Sequence, residues 1–287
     1  MAGQQHGIAS NEERETLGRR LRQARQRSGL TVRDAAREIG VSIGTWSAVE
    51  NGRTRVDDDR LNRAAQLFDI DAATLRAAAP ATDATAPGWR DFAPLQLPPP
   101  LAGALEAFVE LGYHGATIRD VAERAGMSVA GVYHHWATKQ LLLVELLDLT
   151  MNDLTQRCRA ARAEGDGPVR RLTLLVECLA LYHTHRIELG FIGASEMRSV
   201  DEPHRTRIAT ARRDIQHMVD DEVAEGCRRG QMSTPLPREA ARAVVTLCTA
   251  LSQWWSASGE LPPEAIAQQY TRFALDIVGA CVDAPPA

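Results

Sequence analysis

Apolar residues along this chain recur three and four positions apart almost from end to end. That spacing is the signature of amphipathic helices, with one stripe facing a core. Val32, Ala35, Ala36 and Ile39 make one such stripe, and Ile118, Val121, Ala122 and Ala125 make another. Strict alternation and runs of β-branched residues are scarce, so few strands are expected. The pattern breaks at Gly165–Pro168, Gly190, Asp201–Pro203, Gly230–Pro237 and Gly259–Pro263. Glycine and proline there bound long helices. The expectation is an all-α fold. Residues 1–12 form a polar tail expected to be disordered, 13–76 a first helical domain and 77–98 an Ala/Pro-rich linker. Residues 99–146 form a second small helical domain, and 147–283 a helical bundle.

The two small domains share a skeleton. TVRDAAREIGVS at 31–42 and TIRDVAERAGMS at 117–128 each start on a threonine that can cap a helix. Each continues through a buried stripe to a glycine, Gly40 or Gly126, where a left-handed turn is needed. Each ends on a serine, Ser42 or Ser128, placed to cap a following helix. Helix, glycine turn and capped helix make a helix-turn-helix, whose second helix enters the DNA major groove.

Residues 16–76, with LGRRLRQARQRSGLT, AAREIGVS, WSAVENGRT and LNRAAQLFDIDAATL, resemble the lambda-repressor and Cro-like (XRE-type) domains. The resemblance implies five helices, a buried pair between Arg25 and Glu50, and a turn at 51–54 against the phosphate backbone. DNA would meet Ser42, Ile43, Gly44, Thr45 and Arg53. The reading positions lack Arg, Lys, Asn or Gln, which bidentate base contacts require. Thymine methyls, phosphate contacts through Arg53 and Arg55, or a role in protein contacts instead of DNA binding all stay open.

Residues 99–146, with LEAFVELGYHGATIRDVAERAGMSVAGVYHHWATKQLLLVEL, resemble the tetracycline-repressor (TetR) family. By that resemblance Thr117 and Ser128 touch phosphates, and Ala130, Gly131, Tyr133 and His134 face the groove. Lys139, the one lysine of the chain, would reach the DNA backbone. The last two helices, at 237–258 and 263–282, would form a homodimer interface through Ala243, Val244, Leu247 and Leu251 with Ile266, Tyr270, Phe273 and Ile277. The C-terminal half is similar to TetR regulators of fatty-acid, aromatic and steroid-ring catabolism, many of which sense acyl-CoA thioesters. An arginine-rich entrance (Arg186, Arg198, Arg205, Arg212, Arg213) and a stacking plane from Trp254 or Trp255 would suit such a ligand. Neighbouring tryptophans point about 100° apart on a helix, so only one can line a pocket.

Composition narrows the picture. The 287 residues carry 44% apolar side chains and a formal net charge of −4, so DNA affinity must come from local geometry. Five widely spaced cysteines form no C-x-x-C pair, and the histidines lack ligand spacing, so neither a metal site nor a cofactor is expected. No stretch reaches membrane-spanning length and no signal core is present, which points to a cytoplasmic, nucleoid-associated protein. No nucleophile elbow, phosphate loop or paired carboxylates argue for an enzyme. The expected function is a transcriptional regulator that binds double-stranded operator DNA, a repressor released by a small effector. The alternative is a constitutive DNA-binding protein whose bundle only dimerises.

Overall fold

A computed structural model describes residues 30–68 and 88–280 without a break, together with residues 14, 17, 18, 20–22, 24, 25, 28, 70 and 75. The expected tail at 1–12, Cys281 and the first half of the expected linker, 77–87, lie outside the described residues. The chain divides into two compact units, Met1–Ala86 and Pro87–Ala287, each described here by itself. Among the described residues the regular structure is helical, with one isolated bridge between Met232 and Ala280. No helix among them is long and apolar enough to cross a membrane.

In the first unit the described positions from Arg14 to Arg25 are helical, and Leu75 lies in a further helix. Between them run α1 (Val32–Ile39), α2 (Ile43–Glu50) and α3 (Asp58–Leu67). Thr31 and Asp34 form a reciprocal cap on α1, which satisfies two of its free N–H groups. Gly40 ends α1 at φ 81°, a conformation costly for any residue with a Cβ. Leu21, Ile39, Trp46 and Leu61 fill the core. At its edge Arg25 donates to Glu50 at 2.7 and 3.1 Å and to the Leu30 carbonyl at 2.7 Å. Both side chains of the ion pair are buried, so each depends on the other for its charge.

The second unit holds α4 (Pro99–Gly115), α5 (Ile118–Arg124), α6 (Val129–His135) and the 25-residue α7 (Lys139–Ala163). It continues through α8 (Pro168–His185), α9 (Ile187–Ser195), α10 (His204–Arg228), α11 (Pro237–Trp254) and α12 (Pro263–Val278). A short 3-10 turn, Met197–Ser199, follows α9. The apolar α8 is central and packs against α7, α10, α11 and α12.

Three boundaries depart from the sequence pattern. Gly190 does not break a helix but sits inside α9; a Cβ there would meet His183 at 3.0 Å and Ser252 at 3.1 Å. The glycine serves a close crossing, and the chain turns at Arg186 instead. Helix α11 stops at Trp254 rather than 258, because Trp255 turns extended and buries its ring, donating to the Leu261 carbonyl at 3.1 Å. Residues 88–98, expected as linker, have no regular structure before α4 yet are packed: Trp89 is buried in the core of the second unit and Phe92 lies against it.

Two outcomes follow for stability. Glu50→Ala strands a buried guanidinium and should cost the first unit about 3–5 kcal/mol. Segment-resolved amide exchange on the full chain should show residues 30–68 opening while 100–278 keep their protection. In the second unit, burial pushes the His183 pKa down to about 4, with Nδ1–H donating to the Leu179 carbonyl at 2.7 Å. Unfolded, the ring titrates near 6.5, so between those values the unfolded chain binds the extra proton. This contribution is complete above about pH 6.5 and is lost as pH falls towards 4, by about 3 kcal/mol. The melting midpoint should drop between pH 7 and 4.5, and His183→Gln should flatten that drop.

Candidate DNA-binding and effector-binding sites

The two helix-turn-helix units are built alike. In each, a threonine caps the first helix with a reciprocal Asp partner: Thr31 with Asp34, and Thr117 with Asp120. In each, a serine caps the second helix: Ser42 accepts from the Thr45 N–H at 3.0 Å, and Ser128 from the Gly131 N–H at 3.0 Å. Gly126 turns the chain at φ 63°, as Gly40 does. The outward faces of the second helices, α2 and α6, mix small and larger side chains. Ile43 and Gly44 are exposed on α2, with Arg53 and Arg55 just beyond it; Thr45 is half-buried, its hydroxyl 2.7 Å from that of Ser42. On α6, Ala130, Tyr133 and His134 are exposed and Gly131 is half-buried between them. Every DNA-binding candidate from the sequence thus lies at the surface or on its edge. The Thr117 hydroxyl donates to Asp120 at 2.6 Å, which holds that carboxyl below its usual range.

Lys139 occupies a different setting from a free phosphate ligand. Its ammonium donates to the carbonyls of Tyr113 and Ala116, both at 2.7 Å, and lies 4.4 Å from the Tyr113 ring centre. It caps the end of α4, where the helix breaks at Gly112, φ 70°. Burial holds its pKa below the usual lysine value, partly offset by Glu196. Around it Glu196 accepts from the Tyr113 N–H at 3.4 Å and from Ser199 at 2.9 Å, and the Ser199 hydroxyl lies 3.1 Å from His114 Nε2. This network joins the small helical domain to α7 and to the segment after α9. Gly103 sets the other contact: a Cβ there would meet the Val121 carbonyl at 2.6 Å, so α4 and α5 touch backbone to backbone. Neither feature was visible in the spacing of the residues.

A groove of about 1120 Å³ opens in the second unit. Apolar lining comes from Leu95, Leu97, Leu105, Leu189, Trp255 and Leu261. Arg186, Glu106, Glu188 and Glu260 supply charge, and His185, whose pKa burial lowers, supplies a ring. Of the ligand candidates the groove unites Arg186 and Trp255. Arg198 is exposed and does not border it, and Arg213 is bonded along its own helix to Thr210. Arg212 donates to the Gly193 carbonyl at 3.0 Å. Trp254 is 57% exposed and stacks near Tyr270, with ring centres 6.5 Å apart. With Leu247 and Phe273 it gives α11 and α12 an exposed apolar face, while Val244, Leu251, Ile266 and Tyr270 turn inward. The groove wall formed by residues 95–97 was missed because it lay in a stretch read as linker. The aromatic pair Trp89 and Phe92 amid alanine and proline was the available signal.

Among the described residues no group of His, Cys, Asp and Glu could hold a metal ion. Cys158 and Cys178 are buried with sulfurs 3.9 Å apart, and the contact with Cys158, followed by burial, raises the Cys178 thiol pKa.

Comparison with known proteins agrees with these shapes. Residues 16–79 match a helix-turn-helix domain model, 101–146 that of the bacterial regulatory proteins of the tetR family, and 165–278 a tetracyclin repressor-like C-terminal domain. The transcriptional repressor KstR2 of Mycobacterium tuberculosis H37Rv is 25% identical over 177 residues, 61% of this chain and 88% of that protein. The transcriptional activator FasR of Mycolicibacterium smegmatis is 32% identical over 113 residues, 38% of this chain and 51% of that one. A solved tetR-family regulatory protein from Rhodococcus RHA1 superposes with a TM-score of 0.60 at 27% identity, covering 64% of this chain and 97% of that one. The chain belongs to the tetracycline-repressor family of transcriptional regulators and carries a further helix-turn-helix domain ahead of the family's own.

Proposed function

We propose that the protein is a cytoplasmic, operator-binding repressor that works as a homodimer and leaves DNA when a small effector fills the groove of its second unit. The observation that carries this reading is the pair of serine-capped helices, α2 and α6, each following a capped first helix and a positive-φ glycine turn and exposed along one face. The apolar face of Leu247, Trp254 and Phe273 suits the packing of a second copy. A twofold dimer then offers two copies of α6 to successive major grooves, about 34 Å apart. Ala130, Gly131 and Ile43 offer no bidentate donors, so specificity rests on Tyr133, His134, backbone contacts and DNA shape.

The groove chemistry shapes the effector. Its apolar lining and Trp255 fit a hydrophobic body, and Arg186 fits one acceptor group such as a carbonyl or carboxylate. A coenzyme A thioester, the class expected from the sequence, fits through its acyl chain and thioester carbonyl. Its phosphates find Glu106, Glu188 and Glu260 instead of the expected Arg198 and Arg213. The effector is therefore the hydrophobic acid or ketone in preference to the polyanionic thioester.

Thermal melting with decanoate and decanoyl-CoA tests this. Decanoate should raise the midpoint and release operator DNA, and the thioester should do less. If neither compound, nor other acyl-CoAs and hydrophobic acids, alters melting or release, the constitutive DNA-binding reading replaces the effector-controlled one. Lys139→Ala should weaken binding to all DNA sequences and also lower the melting midpoint, since two carbonyls lose their donor at a cost of about 1–3 kcal/mol. An unchanged salt slope in that variant would assign Lys139 to the joint and not to phosphate.

A further inference from the structure

The segment that leads from the first unit into α4 is clamped to the second unit by a dense set of contacts. Gly88 and Asp91 close a tight turn, with the Asp91 N–H donating to the Gly88 carbonyl at 2.8 Å. Trp89 Nε1 donates to Glu164 at 2.6 Å. Arg90 lies over the Trp89 ring at 3.7 Å and pairs with Glu177 at 2.7 Å and Glu164 at 3.2 Å. Arg157 donates to the carbonyls of Trp89 at 2.8 Å and Asp91 at 3.0 Å, and lies 4.1 Å from the centre of the Phe92 ring. The opposite edge of the clamp is His185, stacked on Phe92 at 4.4 Å, and Arg186, which donates to the Ala93 carbonyl at 2.7 Å. Residues 95–97 then form one wall of the groove.

We propose that residues 88–97 are a latch: groove occupancy releases them from α7 and α8 and so lengthens the tether of the first DNA-binding unit. The proposal rests on the effector reading above and assigns that effector a second output. Arg186 is the shared part, because it lines the groove and holds Ala93. Its Nε is buried without an acceptor among the described residues, so the side chain gains a bond by turning to an acceptor in the groove. A hydrophobic body between Leu97 and Leu105 also presses directly on the wall. With the latch closed, the thirteen steps from Leu75 to Gly88 span at most about 45 Å. With it open, the steps from Leu75 to Pro98 span at most about 80 Å. That difference is about one turn of DNA, so the latch sets the upper limit on how far the first unit can reach from the second.

The test uses limited chymotrypsin digestion of the full chain at Trp89 and Phe92, together with nuclease footprints on an operator fragment selected with the full chain. Arg157→Ala and Phe92→Ala should each open the latch; the first should speed cleavage at Trp89 about tenfold, and both should extend the footprint by about one turn. Arg228→Ala, which removes a surface pair on α10, should change neither. Two independent agents then fill the groove: saturating decanoate, and Ala102→Phe. Each should speed cleavage at Trp89 about tenfold in an otherwise native chain. The latch is overturned if native cleavage already matches Arg157→Ala, or if Ala102→Phe leaves it slow while Arg157→Ala makes it fast. If Ala102→Phe opens the latch but decanoate neither binds nor opens it, the latch stands and the effector class falls.

Discussion

The one ammonium side chain of this protein holds together the joint on which both of its tasks depend. Lys139 begins α7, whose remaining length runs through the core of the bundle, and it grips the carbonyls at the broken end of α4. Desolvation makes this arrangement costly to undo, because each carbonyl would lose a charged donor without ready access to water. The small domain is held against the bundle by this point together with the apolar core the two share and the close α4–α5 contact at Gly103. Glu196, Ser199 and His114 extend the same point towards the segment after α9, so the bundle and the end of α4 share one polar network.

Much of the frame was legible because helix ends obey local chemistry. Threonine and serine caps, a positive-φ glycine and an i, i+3, i+4 stripe fix the helix-turn-helix within a dozen residues, and both copies take the shape their sequences dictate. The Arg25–Glu50 pair appears where the lambda-repressor resemblance implied it. What escaped was long-range. Gly190 carries the same local signal as a helix terminator, yet its neighbours His183 and Ser252 come from other helices and make it a packing residue. Arg198 and Arg213 have the composition of an anion entrance, but Arg198 sits on the 3-10 turn after α9 and Arg213 bonds along α10 to Thr210, and neither borders the groove.

Residues 88–98 illustrate the same limit at the scale of domains. Proline and alanine suppress periodicity, and a segment without periodicity reads as a spacer. Packing here comes from four side chains, Trp89, Arg90, Phe92 and Leu97, each meeting partners more than sixty positions away or across the groove. Cation–π contacts and carbonyl clamps need no secondary structure, so they leave no pattern in the local sequence.

The close crossing at Gly190 has a mechanical meaning. At that point α9 lies against His183 on α8 and Ser252 on α11 at once, so one crossing ties three helices together. Any larger residue at 190 would wedge α9 from both neighbours, one helical turn from Arg186, whose carbonyl accepts from the Gly190 N–H at 2.8 Å and whose side chain borders the groove.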